Sequence, residues 1–173
     1  MPSNVEIKAR ISSVQDLVSR AQALSDDPHA QLIHQDDTFF TVPHGRLKLR
    51  VFSDGTGELI HYHRSDEGGP KVSDYVISAV PEPDSMREAL ERACGVRGRV
   101  RKERILVLVG QTRVHLDRVE GLGDFLELEV VLQDGQSEAE GRAIALLLMD
   151  RLGVPASDLV AGAYLDLLPA LEA

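Results

Sequence analysis

Glu6, Lys8 and Arg10 alternate along "NVEIKARI" (residues 4–11), opposite Val5, Ile7, Ala9 and Ile11. A period of two puts the charged set on one face of a strand and the apolar set on the other. The pattern recurs. "GRLKLRVF" carries Arg46, Lys48 and Arg50 opposite Leu47, Leu49 and Val51. "TRVHLD" sets Arg113, His115 and Asp117 against Val114 and Leu116. "DFLELEVVL" sets Glu127 and Glu129 against Leu126, Leu128 and Val130. Around "VRKERI", Lys102 and Arg104 share one face, while Arg99, Arg101 and Glu103 load the other, so that strand is ambiguous. Bases of this kind hold phosphate oxygens by charge-assisted hydrogen bonds. Glu127 and Glu129 project to one side and could share Mg²⁺ or Mn²⁺, hard ions that take oxygen ligands. The inventory as a whole suits a polyanion together with a divalent metal.

Such faces need strands to carry them. Strands are expected at about 31–42, 46–52, 57–64, 71–79, 98–109, 111–119 and 124–133, besides the first. The joins "VPHG", "SDGTG", "SDEGGP", Gly110 and "EGLGD" are short and turn-like. Short joins make antiparallel neighbours, and eight such strands can close into a barrel that just holds a small ligand. Amphipathic helices are expected at about 13–24, 83–94 and 136–152, with short helical turns in "DLVAGAYLDLLPALEA". Two placements of the charged faces follow. They form the wet outside of a curved sheet, or helices cover the apolar outside and the charges line the interior. The sorting of bases onto some strands and acids onto another argues for an interior lining, because a wet face is usually a blend, but the pattern alone leaves the wet sheet ahead.

A chain of 173 residues suits one domain, and no repeat, linker or low-complexity segment divides 1–173. Its net charge of -9 argues against nucleic acid as a partner but leaves room for a local basic cavity. The single cysteine, Cys94, excludes an internal disulfide and a cysteine-based metal site; it reads as a buried structural thiol at a helix end. The N-terminus shows no signal-peptide pattern and no apolar run reaches membrane-spanning length, so a cytoplasmic protein without a membrane partner is expected.

Five stretches carry a family resemblance. "NVEIKARI", "DTFFTVPHGRLKLR", "ELIHYHRSDEGGPKVSDY", "VGQTRVHLDRVEGLGDFLELEV" and "GAYLDLL" together resemble the CYTH superfamily, the triphosphate tunnel metalloenzymes. The resemblance runs in order over nearly the whole chain. It implies an α+β fold: a closed eight-stranded antiparallel β-barrel, ionic inside, with helices packed outside. It implies metal binding (Mg²⁺ or Mn²⁺) by Glu6, Glu127 and Glu129. It implies triphosphate contacts by Lys8, Lys48, Arg50, Arg64, Lys71, Lys102, Arg104 and Arg113. Lys8, Arg113 and Asp117 would stand nearest the chemistry, with Asp117 by the metal or orienting a basic neighbour. Tyr164 and Asp166 match a segment near the tunnel mouth. The expected partner is a small-molecule triphosphate: ATP, thiamine triphosphate or tripolyphosphate. The sequence leans to the class IV adenylyl cyclase branch, with triphosphate hydrolysis as the alternative, and that branch implies a homodimer.

One position departs from the family's Glu-x-Glu-x-Lys signature. Asn4 stands where the first carboxylate belongs, keeping an oxygen and losing the charge. That keeps open a non-catalytic polyphosphate-binding module. A remoter rival is a cupin-like metal protein, since "GTGELIHYHRSDE" spaces His61, His63 and Glu67 like a first cupin motif, with His115 as the fourth ligand. "EGGPK" lacks P-loop spacing and reads as a turn presenting Lys71. Phe39, Phe40, Tyr62 and Tyr75 are the candidate stacking aromatics, and each also suits a core position.

Overall fold

The computed structural model describes residues 3–64 and 70–168, with the backbone alone at Arg64. The period-two segments form β1 (Ser3–Arg10), β2 (Gln31–Phe40), β3 (Arg46–Phe52), β4 (Gly57–Arg64), β5 (Lys71–Val80), β6 (Val96–Val109), β7 (Thr112–Val119) and β8 (Gly123–Val131). The helical stretches form α1 (Val14–Leu24), α2 (Pro83–Cys94) and α3 (Glu138–Arg151); a short α4 (Tyr164–Leu167) follows. All expected strands and helices are present, with boundaries shifted by a few residues. α3 starts later than expected because Ser137 caps it: its hydroxyl accepts from the Glu140 amide, and Glu140 reaches back to the Ser137 amide. The β6–β7 hairpin turns at Gly110, whose φ of 57° lies where a Cβ would be strained.

The strands close an antiparallel barrel in the order β1-β5-β4-β3-β2-β6-β7-β8, with β8 returning to β1. The outer faces of β1, β7 and β8 are apolar. Val5, Ile7, Val114, Leu116, Leu126 and Leu128 are buried there with Leu17 and Val18 of α1 and Ala145 and Leu148 of α3. Each such side chain contributes about 1.5–3 kcal/mol by leaving water. α2 covers β2 and β3, placing Met86 and Leu90 against Phe40, Leu49 and Val80. With the outside dry at these strands, the charged faces must turn inward. β6 resolves in the same way. Lys102 and Arg104 are buried inside, whereas Arg99 and Glu103 pair outside with Asp36 and Arg118. Cys94 is half-buried rather than buried, because it ends α2 at the edge of that helix's packing. Among the described residues no helix is long and apolar enough to cross a membrane.

After α3 the chain returns across one end of the barrel. Leu159 bridges to Ala9, and the Val160 amide donates to the Lys8 carbonyl at 2.8 Å. Leu165 then packs on Gly98, so closely that a Cβ there would stand 2.3 Å from Leu165 Cδ1.

Candidate functional site

The barrel encloses a cavity of about 430 Å³. One wall comes from β1, β7 and β8. Its register sets Glu6 opposite Glu129 and Lys8 opposite Glu127, with Arg113 and His115 facing the same two glutamates from β7. Directly opposed residues bring their Cβ atoms to about 4.5–5.5 Å. The other wall carries Lys48, Arg50, Lys102 and Arg104, from β3 and β6.

Charges cost several kcal/mol each to bury, so they must be paired. Asp37 of β2 does this on the basic wall. Its carboxylate is 1 % exposed and accepts two bonds from Arg50, both at 2.8 Å. Lys48 and Lys102 each approach Oδ2 at 3.4 Å. Burial alone would raise the Asp37 carboxyl, but Arg50, Lys102 and Lys48 hold it well below the usual carboxylate range. The lysines are left less charged. Burial and the Arg50 charge bring Lys48 down to about 7, and burial brings Lys102 down to about 8. Sequence reasoning missed Asp37. The period-two reading of "QDDTFF" could have found it, since Gln35, Asp37 and Phe39 share a face.

Asp117 is fully buried with both oxygens taken. Arg104 donates to each at 2.7 Å, and the Tyr164 hydroxyl donates to Oδ2 at 2.7 Å. Its carboxyl is lowered by Arg104 against the opposing effect of burial. Asp117 therefore holds Arg104 from behind, and the cavity wall is formed by Arg104 itself. Tyr164 packs edge-on against Phe125 with centroids 5.0 Å apart, under the ammonium groups of Lys8 (4.1 Å) and Lys102 (5.3 Å). Lys8 also donates to the Gly162 carbonyl at 3.0 Å. Asp166 ties the segment down through Arg46 and Arg97.

The donor set of the acidic wall fits a hard divalent cation. Glu6, Glu127 and Glu129 offer carboxylate oxygens, and Asn4 Oδ1 is buried without a hydrogen-bond partner. Among the described residues, however, no three acidic, histidine or cysteine side chains are gathered into a cation cage. The neighbours explain this. Glu129 accepts from Asn4 Nδ2 at 2.6 Å and from Arg113 at 3.3 Å, and Arg104 stands 3.4 Å from Glu127. Burial, with Glu127 nearby, pushes the Glu129 carboxyl up. His115 is buried beside Glu129, and burial followed by the Arg104 charge brings it down to about 3, so it is neutral. Its Nδ1 has no hydrogen-bond partner.

The other expected residues divide. Lys71 is buried opposite Glu6, in a small side cavity shared with Lys8 and Glu127. Arg113 is at the rim, with its side chain 47 % exposed. The Arg64 side chain and Glu67 lie outside the described residues. The cupin-like set does not assemble. His61 and His63 are exposed on the outer face of β4, since Tyr62 between them points inward, whereas His115 is inside the barrel. Phe39 and Tyr62 line the cavity near Lys48; Phe40 is buried on the outside, under α2.

Known proteins share this architecture. A protein of Pyrococcus horikoshii OT3 superposes with a TM-score of 0.82 at 24 % identity, over 96 % of this chain and 99 % of that one. A candidate adenylate cyclase of Vibrio parahaemolyticus gives 0.75 at 19 %, over 94 % and 95 %. A Hippeastrum protein with a dominant triphosphatase activity gives 0.66 at 15 %, over 94 % and 91 %. Among curated proteins no sequence matches this chain. The CYTH domain matches residues 3–164, almost the full length of the barrel and its crossing segment, and the chain belongs to the CYTH family.

Proposed function

We propose that this chain is a Mg²⁺- or Mn²⁺-dependent enzyme that binds a triphosphate inside the barrel and converts ATP to cyclic AMP and pyrophosphate. CYTH enzymes act on triphosphates and use divalent metals. The observation that carries the reading is the basic wall of Lys48, Arg50, Lys102 and Arg104 facing the Glu6, Glu127 and Glu129 wall across one cavity. Bound metal would supply charge neutralisation at the phosphates, held by Glu6, Glu127, Glu129 and Asn4 Oδ1. Arg50 and Arg104, locked by Asp37 and Asp117, present fixed guanidinium donors to phosphate oxygens. Lys8 and Arg113 add charge from the acidic wall. Such donors stabilise the charge that develops during in-line displacement at phosphorus. In cyclisation the ribose 3′-hydroxyl oxygen forms the new bond to the α-phosphorus and pyrophosphate leaves. The cellular setting we infer is the cytoplasm.

Hydrolysis is the second reading, favoured by the Hippeastrum neighbour and its dominant triphosphatase activity. Water oxygen then forms the new bond to the terminal phosphorus, the bond to the bridging oxygen breaks, and phosphate and a diphosphate leave on the same electrostatic frame. Turnover of ATP, tripolyphosphate and thiamine triphosphate with Mg²⁺ and Mn²⁺, followed by product analysis, separates the readings. Cyclic AMP with pyrophosphate is expected. Phosphate with a diphosphate would replace cyclisation by hydrolysis, and binding without turnover would make the chain a polyphosphate-binding module. Full activity in Glu129→Gln would refute the metal assignment.

A further inference from the structure

The chain has four lysines, Lys8, Lys48, Lys71 and Lys102, and the fold turns all four toward the barrel interior. Lys8, Lys71 and Lys102 are buried, and the Lys48 side chain is 15 % exposed. The outer wall carries arginines instead, such as Arg99, Arg101 and Arg118. A guanidinium stays protonated, whereas a lysine that loses its proton becomes a primary amine and a nucleophile. The side-chain amines of this protein are therefore gathered in one place.

Lys48 differs from the other three. Lys8 donates to the Gly162 carbonyl at 3.0 Å, and Lys71 faces Glu6 in the small side cavity. The Lys102 side chain is only 4 % exposed. Lys48 stands 5.7 Å from the Phe39 ring centre and 5.3 Å from that of Tyr62. Its counter-charge, Asp37, is 3.4 Å away, with both oxygens already bonded to Arg50. Burial, Arg50 and Lys102 favour the neutral amine against the pull of Asp37 and Glu127, and bring Lys48 down to about 7. Arg50 follows on the same strand face, about 7 Å along it. A phosphoryl group held by Arg50 leaves a carbonyl a few bonds away within reach of the Lys48 nitrogen.

We propose that Lys48 is a covalent site for phosphorylated aldehydes, which it captures as a reversible imine inside the barrel. This site rests on the phosphate-binding reading of the basic wall given above. The nitrogen lone pair forms the new bond to the carbonyl carbon. The carbon–oxygen double bond gives way to a carbon–nitrogen double bond, and both nitrogen protons leave with the carbonyl oxygen as water. A desolvated lysine beside another cation is the arrangement that makes an amine nucleophilic. The captured phosphate takes the wall that a triphosphate would use, so capture excludes the triphosphate until water reverses the imine.

Pyridoxal 5′-phosphate, pyridoxal and tripolyphosphate test this. The full chain is incubated with either aldehyde near neutral pH, reduced with borohydride to trap the imine as a secondary amine, and mapped by mass spectrometry. Pyridoxal 5′-phosphate is expected to label Lys48 about tenfold more than pyridoxal does, the scale of one charge-assisted hydrogen bond, and to label it ahead of Lys8, Lys71 and Lys102. Excess tripolyphosphate should suppress the labelling. Lys48→Arg keeps the cation and removes the amine, so a variant that still melts cooperatively should lose most of the label. Labelling spread evenly over the four lysines, equal labelling by pyridoxal, or full labelling of Lys48→Arg would each overturn the site. So would tripolyphosphate binding, measured by calorimetry, with no adduct at Lys48. Absence of tripolyphosphate binding would instead overturn the phosphate reading, and the site with it.

Discussion

Asn4 Nδ2 donates to Glu129 Oε1 at 2.6 Å across the β1–β8 pair, joining residues 125 positions apart in the chain. A neutral amide therefore supports a buried carboxylate where a second carboxylate would repel it. Replacing Asn4 by Asp sets two acids at hydrogen-bond distance. Without metal the variant should lose about 1–3 kcal/mol of stability, the scale of a lost buried hydrogen bond. Mn²⁺ should restore more stability to the variant than to the parent chain, because the added charge strengthens an oxygen-ligand site. Thermal denaturation with and without MnCl₂ reads both effects. Equal metal stabilisation in the two chains would detach Asn4 from the metal.

Asp37 serves three cations, so its removal should be costly. Asp37→Asn leaves Arg50, Lys48 and Lys102 without their shared counter-charge. Breaking a buried ion pair by removing one partner costs about 3–5 kcal/mol. Urea denaturation should show that loss, and tripolyphosphate should recover much of it by supplying the missing negative charge. A variant as stable as the parent would show that the cations are solvated.

Lys48 makes the cavity sensitive to pH. Its ammonium is brought down to about 7, and that of Lys102 to about 8, so both are largely neutral at pH 9 and largely charged at pH 6. A depressed lysine penalises the fold below its own pKa, so the ligand-free chain gains stability as pH rises through 7 toward 10.5. Polyanion binding has the opposite dependence. It favours the charged lysines, should weaken from pH 6 to pH 9, and should take up protons at pH 8. Calorimetry of tripolyphosphate binding in two buffers of different ionisation heat counts those protons. Lys48→Met should reduce the uptake.

Tyr164 links the crossing segment to the site. Tyr164→Phe keeps the packing on Phe125 but removes the hydrogen bond to Asp117. Because Arg104 still satisfies both Asp117 oxygens, the loss should stay near 0.5–1.5 kcal/mol, about the net worth of one hydrogen bond. Turnover should fall modestly, through a less firmly held Arg104. A stability loss with no change in any rate would confine Tyr164 to holding the segment.

Much of the barrel is legible in alternation alone. Leu47, Leu49 and Val51 against Arg46, Lys48 and Arg50 define a strand and its two faces by their spacing. Which face turns inward depends on the helices, since only their cover makes the apolar side dry. Asp37 is harder to read. It sits beside Asp36 in an ordinary polar stretch, and its weight appears only when β3 and β6 bring three cations to it. The Asp117–Tyr164 contact is beyond the reach of strand patterns, because it depends on the chain crossing the barrel end 47 residues later. The Asn4 substitution is visible in the sequence, yet its partner becomes clear only when β8 closes against β1.

The crossing segment has one more consequence. It lays Ala163 and Tyr164 along one end of the cavity, beneath the ammonium groups of Lys8 and Lys102. On the triphosphate reading proposed above, a phosphate fragment cut from the ligand and bound there would meet two cations over one aromatic ring. Its departure, rather than the chemistry, would then set the pace of the cycle.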